Sequence, residues 1–319
     1  MARPSLHPAL VLAILAILAL GCIALFMTIN VRGAWDFVLG FRGRKVWGMV
    51  LVGHAIAVST VLFQTITSNR ILTPALMGFD SLYQLIQTTL VFFLGGLAFA
   101  TIDPQVRFLV DAGAMVLLST LLFRWLFSGG RSLYLLVLAG IVFGVLFRSL
   151  ANLMQRLINP NDFVILQDAM FASFNAIEPT LLVVASVVIA AASALLLPLL
   201  SRLDVLALGR EPAISLGVDH KRTVGMVLVV IAVMVSVSTA LVGPVLFFGL
   251  LVANLAYLIM PTYRHAYILP AAVLLGIIAL VGGQTVLEHV FGFNTALAII
   301  IEFAGGLVFL FLLLRGAAR

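Results

Sequence analysis

The stretch SRLDVLALGREPAISLGVDHKR, Ser201 to Arg222, is a charged interruption between two apolar runs that are each long enough to cross a bilayer. Within it, Pro212 suits the first turn of a short helix and Gly217 its C-terminal stop. Asp219 can then cap the helix that continues as the next apolar run. A short surface helix carrying its own start and stop signals, held between two spans, is expected to be offered to a partner.

Composition sets the class around that segment. With 63% hydrophobic and 9% charged residues in 319, and a mean hydropathy of +1.24, there is too little polar surface to cover a water-soluble globule. The chain reads as an all-α polytopic membrane protein, a single membrane domain over residues 1–319 with residues 201–222 as a loop inside it. The net charge of +6 then reflects orientation and anionic lipid headgroups, so no nucleic-acid partner is inferred. The lone Cys22 excludes a disulfide framework and any cysteine-based metal site.

A bilayer-sized window finds about ten apolar spans, at 9–29, 47–66, 83–101, 107–127, 132–152, 180–200, 224–243, 245–260, 268–288 and 295–315. The first is too long, and too poorly followed by a cleavage site, to be a removable signal peptide. With both termini on one side, 11 of the 18 Lys and Arg residues fall on that side, Arg3, Arg131 and Arg319 among them, and 7 on the other, including Arg32. The bias predicts cytoplasmic termini in a bacterial inner membrane. Four of the seven dissenters crowd the segment WDFVLGFRGRK with its neighbour Arg32, expected as the first external loop. That cluster is either a solvated, lipid-facing loop or a dock for an acidic partner, since Arg pairs with carboxylates in bidentate fashion.

Several chemistries are missing. The only lysines are Lys45 and Lys221, and neither completes GxxxxGK[ST], so the chain has no P-loop of its own. The five histidines are scattered, no His or carboxylate pair stands at metal-ligand spacing, and no Ser/His constellation falls at one depth. No catalytic residue, metal site or cofactor is therefore expected. Ionisable residues inside spans are expensive and face protein or water. Glu302, in ALAIIIEFAGGLVF, either lines or gates a path or is satisfied between helices. Asp111, Arg124 and Arg148 are expected to snorkel from positions near span ends. Gln64, Gln84, Gln87 and Gln284 suit a polar route and interhelical bonding equally, and the Gly140–Gly144 pair predicts close helix packing, within or between subunits.

LALGREPAISLGVDHKR, then VGPVLFFGLLVANLAYLI, then RHAYILPAAVLLG, together with FRGRKVWGMVLVGHAIAVSTVLFQTITSNRILTPALMGFDS, resemble the permease subunits of iron-chelate ABC importers, the group that includes the cobalamin importer. The likeness covers nearly the whole chain, and SNRILTPALMGFDSLY is similar to a subgroup that carries catecholate-type siderophores and pairs with a second, non-identical permease. The resemblance implies a ten-helix type II ABC importer fold, two cytoplasmic ATPase subunits, a second permease around a shared path, and a periplasmic or lipid-anchored binding protein. It implies that Gly209, Arg210, Glu211, Pro212, Ala213, Ser215, Leu216 and Gly217 seat in the ATPase, that Arg42, Arg44 and Lys45 hold the binding protein, and that Asn69 and Ile71 belong to the cytoplasmic gate. Departures exist: Arg42-Gly43-Arg44-Lys45 stands for a usual Arg-x-Pro-Arg, Ala253-Asn254 for Pro-His, and Glu302 for a small residue. The implied cargo is a ferric siderophore, with cobalamin and haem as alternatives. A proton- or sodium-coupled carrier, for which Glu302 would be the coupling acid, is the rival of another class.

Overall fold

The computed structural model describes residues 7–31, 34–128, 133–175, 177–292 and 297–317, so Arg3, Arg32, Arg131 and Arg319 of the charge count lie outside the described residues, as does the side chain of Arg124. In chain order the helices are α1 (Pro8–Thr28), α2 (Trp35–Thr67), α3 (Phe79–Leu94), α4 (Gly96–Ala100), α5 (Pro104–Ser128), α6 (Leu133–Gln155), α7 (Pro160–Met170), α8 (Pro179–Leu196), α9 (Leu200–Leu206), α10 (Arg210–Ser215), α11 (His220–Val242), α12 (Phe248–Ile259), α13 (His265–His289) and α14 (Leu297–Ala317). Among the described residues there is no strand.

Seven of these helices are long and apolar enough to cross a membrane, and α12 and the stretch Leu297–Leu307 of α14 are shorter apolar helices. Each expected apolar run overlaps a helix, but among the described residues only seven helices are long enough to count as spans, so the number ten is not shown, and three boundaries differ. The segment expected as the first external loop is helical, because α2 begins at Trp35 and runs 33 residues. That is about 50 Å, against a hydrocarbon core of about 30 Å. A hydropathy window sees only the apolar part of such a helix, and no proline stops its polar extension. The span expected at 83–101 is broken at Gly95, where φ is +81°. The span expected at 245–260 starts only at Phe248, after an irregular stretch from Gly243 to Phe247.

Helices α2, α11 and α13 form the centre: α2 packs on α13, α11 and α12, and α13 also on α1. Close approach there depends on missing side chains, since a Cβ on Gly276 of α13 would lie 3.2 Å from the carbonyl oxygen of Gly53 in α2. The outer helices α1, α5, α6 and α8 expose apolar side chains such as Ile17, Leu109, Val142 and Val187, the arrangement expected of lipid-facing surface. Gly140 and Gly144 of α6 receive Met77 and Gly78 of the same chain, so this small-residue pair packs internally. Asp111, expected to snorkel, is 1% exposed; its carboxylate sits 3.9 Å from Arg107 one turn earlier, and that guanidinium donates to Gln87 at 2.9 Å. Asp111 is thus buried beside a half-exposed Arg107 of its own helix, and that arginine also reaches Gln87 of α3.

Candidate functional site

The polar segment that separates α8 from α11 folds as two short helices. Gly209, at φ +102°, turns the chain out of α9, and Gly217, at φ +82°, ends α10. Around Gly217 the Val218 N–H donates to the Ala213 carbonyl at 3.0 Å and the Gly217 N–H to that of Ile214 at 2.9 Å, the paired bonds of a Schellman stop. Asp219 accepts the Arg222 N–H at 3.0 Å and caps α11. Pro212 sits in the first turn, where its missing N–H costs nothing. Only Ala213 of α10 is buried. Arg210, Glu211, Pro212, Ser215, Leu216 and Gly217 are exposed, and Leu208, Ile214 and Leu216 present a small apolar surface beside the charges.

The loop after α2 lies at the same end. Asn69 Oδ1 accepts the Ile71 N–H at 2.9 Å, an Asx turn that presents Ile71 52% exposed. The loop hangs from α2 and α12, because Gln64 Nε2 and Asn254 Nδ2 both donate to the Arg70 carbonyl, at 2.7 and 3.1 Å. The Arg70 guanidinium lies 4.5 Å over the Tyr257 ring.

The segment 68–78, which leaves α2 and makes one 3-10 turn at Pro74–Met77, meets the other break, at Gly243 to Phe247. Ile71, Asp80, Arg148 and Phe247 share the walls of a cleft of ≈ 280 Å³. In a membrane protein, irregular backbone within the bilayer is tolerated only where it is buried in protein or lines a water-filled space. Arg148 is exposed in this chain and donates to Ser81 Oγ at 3.3 Å, while one carboxylate oxygen of Asp80 is buried with no hydrogen-bond partner. Fifteen residues of α6 precede Arg148 and seven follow it, which places it about 22 Å from one helix end and 10 Å from the other. Asp80 is within electrostatic range of Arg148 and of Glu302. Glu302, half-buried on α14, stands one turn before Gly305, whose Cβ position is 3.7 Å from Phe247. Sequence reasoning missed Asp80 because it sits where a span seemed not yet to have begun.

At the opposite end, the three basic residues of α2 have different surroundings. Arg42 donates through Nη1 to the carbonyls of Phe26 and Ile29, at 2.7 and 2.8 Å, and so caps the end of α1. Lys45 is 5% exposed and pairs with Glu288 of α13 at 2.8 Å. Arg44 is exposed and donates to the Gly40 carbonyl of its own helix, at 3.1 Å. Of the amides weighed for a polar route, Gln87 accepts from Arg107 between α3 and α5, Gln64 holds a loop carbonyl, and Gln284 bonds Glu288 of its own helix at 2.8 Å and Asn175 of a loop at 3.3 Å.

A multi-pass helical bundle with a capped surface helix at one end and broken helices around a cleft is the architecture of a membrane transport protein. The model of the FecCD transport family matches residues 9–315, and the chain belongs to that family. It is 48% identical over 305 residues to the petrobactin import system permease protein YclO of Bacillus subtilis, covering 95% of this chain and 96% of that one. It is 38% identical over 271 residues to the petrobactin import system permease protein FatC of Bacillus anthracis, covering 85% and 77%. Its fold matches a chain from an inward-facing structure assigned to the metal-chelate type of ABC transporter with a TM-score of 0.84, at 20% identity over 97% of this chain and all of that one.

Proposed function

We propose that the chain is one permease subunit of an ATP-driven importer that moves a ferric siderophore of the petrobactin type across the bacterial inner membrane. The near full-length 48% identity to a petrobactin permease is the observation that carries the reading. On it, the chain crosses the membrane ten times with both termini in the cytoplasm, α12 and the short α3 being crossings despite their length. ATP hydrolysis belongs to two separate cytoplasmic subunits, one of which receives α10. A second, non-identical permease completes the path, and a periplasmic or lipid-anchored binding protein delivers the cargo.

The residues take roles that suit this arrangement. Helix α10, from Gly209 to Gly217, offers an exposed apolar and charged face held rigid by caps, as a lever seated in another subunit requires. Asn69 and Ile71 form the gate beside it. Arg44 is the exposed cation available to an acidic binding protein, whereas Arg42 and Lys45 act behind it, securing the end of α2 to α1 and α13. The cleft belongs to the path: Arg148 meets the anionic chelate there, and Glu302 and Asp80 keep the station polar without ligating the metal. Strong ligation would trap the cargo, so affinity resides in the binding protein.

Reconstitution of this chain with its partner permease, ATPase and binding protein in proteoliposomes tests the reading. Uptake of radiolabelled ferric petrobactin that requires ATP is expected. Uptake driven by an imposed proton or sodium gradient without ATP would overturn it.

A further inference from the structure

Three elements far apart in sequence meet through one imidazole at the end of the bundle that carries α10. His265, the first residue of α13, is 1% exposed. Its Nδ1 lies 2.6 Å from Asp204 Oδ1, and its backbone N–H donates to the same oxygen at 2.7 Å. Its Nε2 stands 2.7 Å from Thr65 Oγ1. The carboxylate assigns the tautomer: Nδ1 carries the proton and donates to Asp204, which leaves Nε2 an acceptor for the Thr65 hydroxyl, whose one proton is shared between it and the Val61 carbonyl at 2.9 Å. The same carboxylate caps the N-terminus of α13, where a negative charge is favoured.

The positions of the three residues give the cluster its consequence. Asp204 belongs to α9, which ends at Leu206, and α10 begins at Arg210, directly after Gly209. Among the described residues, Asp204 has the only polar side chain of α9 and α10 that hydrogen-bonds to another element. Thr65 lies in the last turn of α2, beside Gln64, which holds the Arg70 carbonyl and with it the loop of Asn69 and Ile71. Leu203 and Leu206 are also buried between α9 and the bundle, but apolar contacts slide at little cost. The charge-assisted bond to Asp204 is different, because breaking it strands the buried His265 N–H away from water even though the carboxylate can be rehydrated.

We propose that Asp204, His265 and Thr65 form a strut that transmits displacement of α10 to the gate loop at 69–71, and that these three are positioning residues for ATP-driven opening. The proposal rests on the reading of α10 as the ATPase contact and of Ile71 as part of the gate. When α10 moves with the ATPase, α9 moves with it, and the hydrogen-bond chain obliges the N-terminus of α13 and the last turn of α2 to follow. The gate loop, tied to that turn by Gln64, is then displaced without touching the ATPase.

The test uses the complete importer in proteoliposomes and a readout independent of cargo. Cys22 is the chain's one cysteine, so Cys22→Ala with Ile71→Cys places a single thiol on the gate. Its rate of maleimide labelling is measured with and without ATP. The parent protein should show an ATP-dependent change. Thr65→Val, which keeps the shape and removes only the hydroxyl, should shrink that change about tenfold, and uptake per ATP hydrolysed with it, while ATPase association is retained. Asp204→Ala, at a side chain 37% exposed and so less prone to disturb folding, should do the same. Thr65→Ser should restore the response. An unchanged response in Thr65→Val and Asp204→Ala would overturn the strut alone. No ATP response at position 71 in the parent would overturn the gate reading, and the proposal with it.

Discussion

Replacing Gly217 by Val separates the lever role of α10 from simple folding. At φ +82° the backbone is left-handed, and a Cβ built there meets nothing within 4 Å, so the cost is purely conformational. For an L residue that cost is about 1–2 kcal/mol, and a β-branched side chain stands at the upper end. The two bonds of the helix stop, Val218 to Ala213 and Gly217 to Ile214, depend on this one conformation. About 2 kcal/mol against the capped state is roughly a 30-fold loss in its population relative to the uncapped one. Since α10 buries only Ala213, little else holds it in place. Affinity for the ATPase subunit, measured by pull-down or by titration in detergent, should fall by about that factor, with uptake falling in step. Gly217→Asn, which tolerates the left-handed region, should stay near the parent. Gly225→Ala, in the interior of α11 with open space around it, should be neutral or slightly stabilising. Full ATPase association and full transport in Gly217→Val would refute the reasoning.

Lys45→Ala should lower the thermal stability of the purified subunit by about 3–5 kcal/mol, because it leaves Glu288 uncompensated at 10% exposure; Arg44→Glu should leave stability unchanged but weaken binding-protein association and its salt dependence. A melting curve and a salt titration of binding distinguish the two. Glu302→Gln should retain most ATP-dependent uptake, whereas Glu302→Leu should impair it by removing polarity beside the cleft; uptake abolished by Gln would favour a titrating, proton-coupled role. Arg148→Gln should slow transport of an anionic chelate more than its delivery, read as a lower maximal uptake rate at unchanged binding-protein affinity, and equal rates would remove Arg148 from the path.

Periodicity and capping signals are local, and what they govern was legible in the chain. Sixty-three per cent apolar residues force a membrane bundle, since no water-soluble surface can be made from them. Pro212, Gly217 and Asp219 announce a helix and its two boundaries because each acts on the backbone within a few residues of itself, and the structure places all three in those positions. Partnership between distant side chains carries no such local signal. Arg42, Arg44 and Lys45 look alike in sequence, yet burial against α1 and α13 engages two of them internally and leaves Arg44 facing out. Asp111 looked like a residue able to reach the surface until Arg107 and Gln87 enclosed it. His265 seemed one scattered histidine among five, and only the crossing of α2, α9 and α13 sets it between Thr65 and Asp204. In lipid the alternatives for a polar group are a partner or a large penalty. Which partner it finds depends on helix crossings fixed by packing at positions such as Gly53 and Gly276, and those crossings exist only in three dimensions.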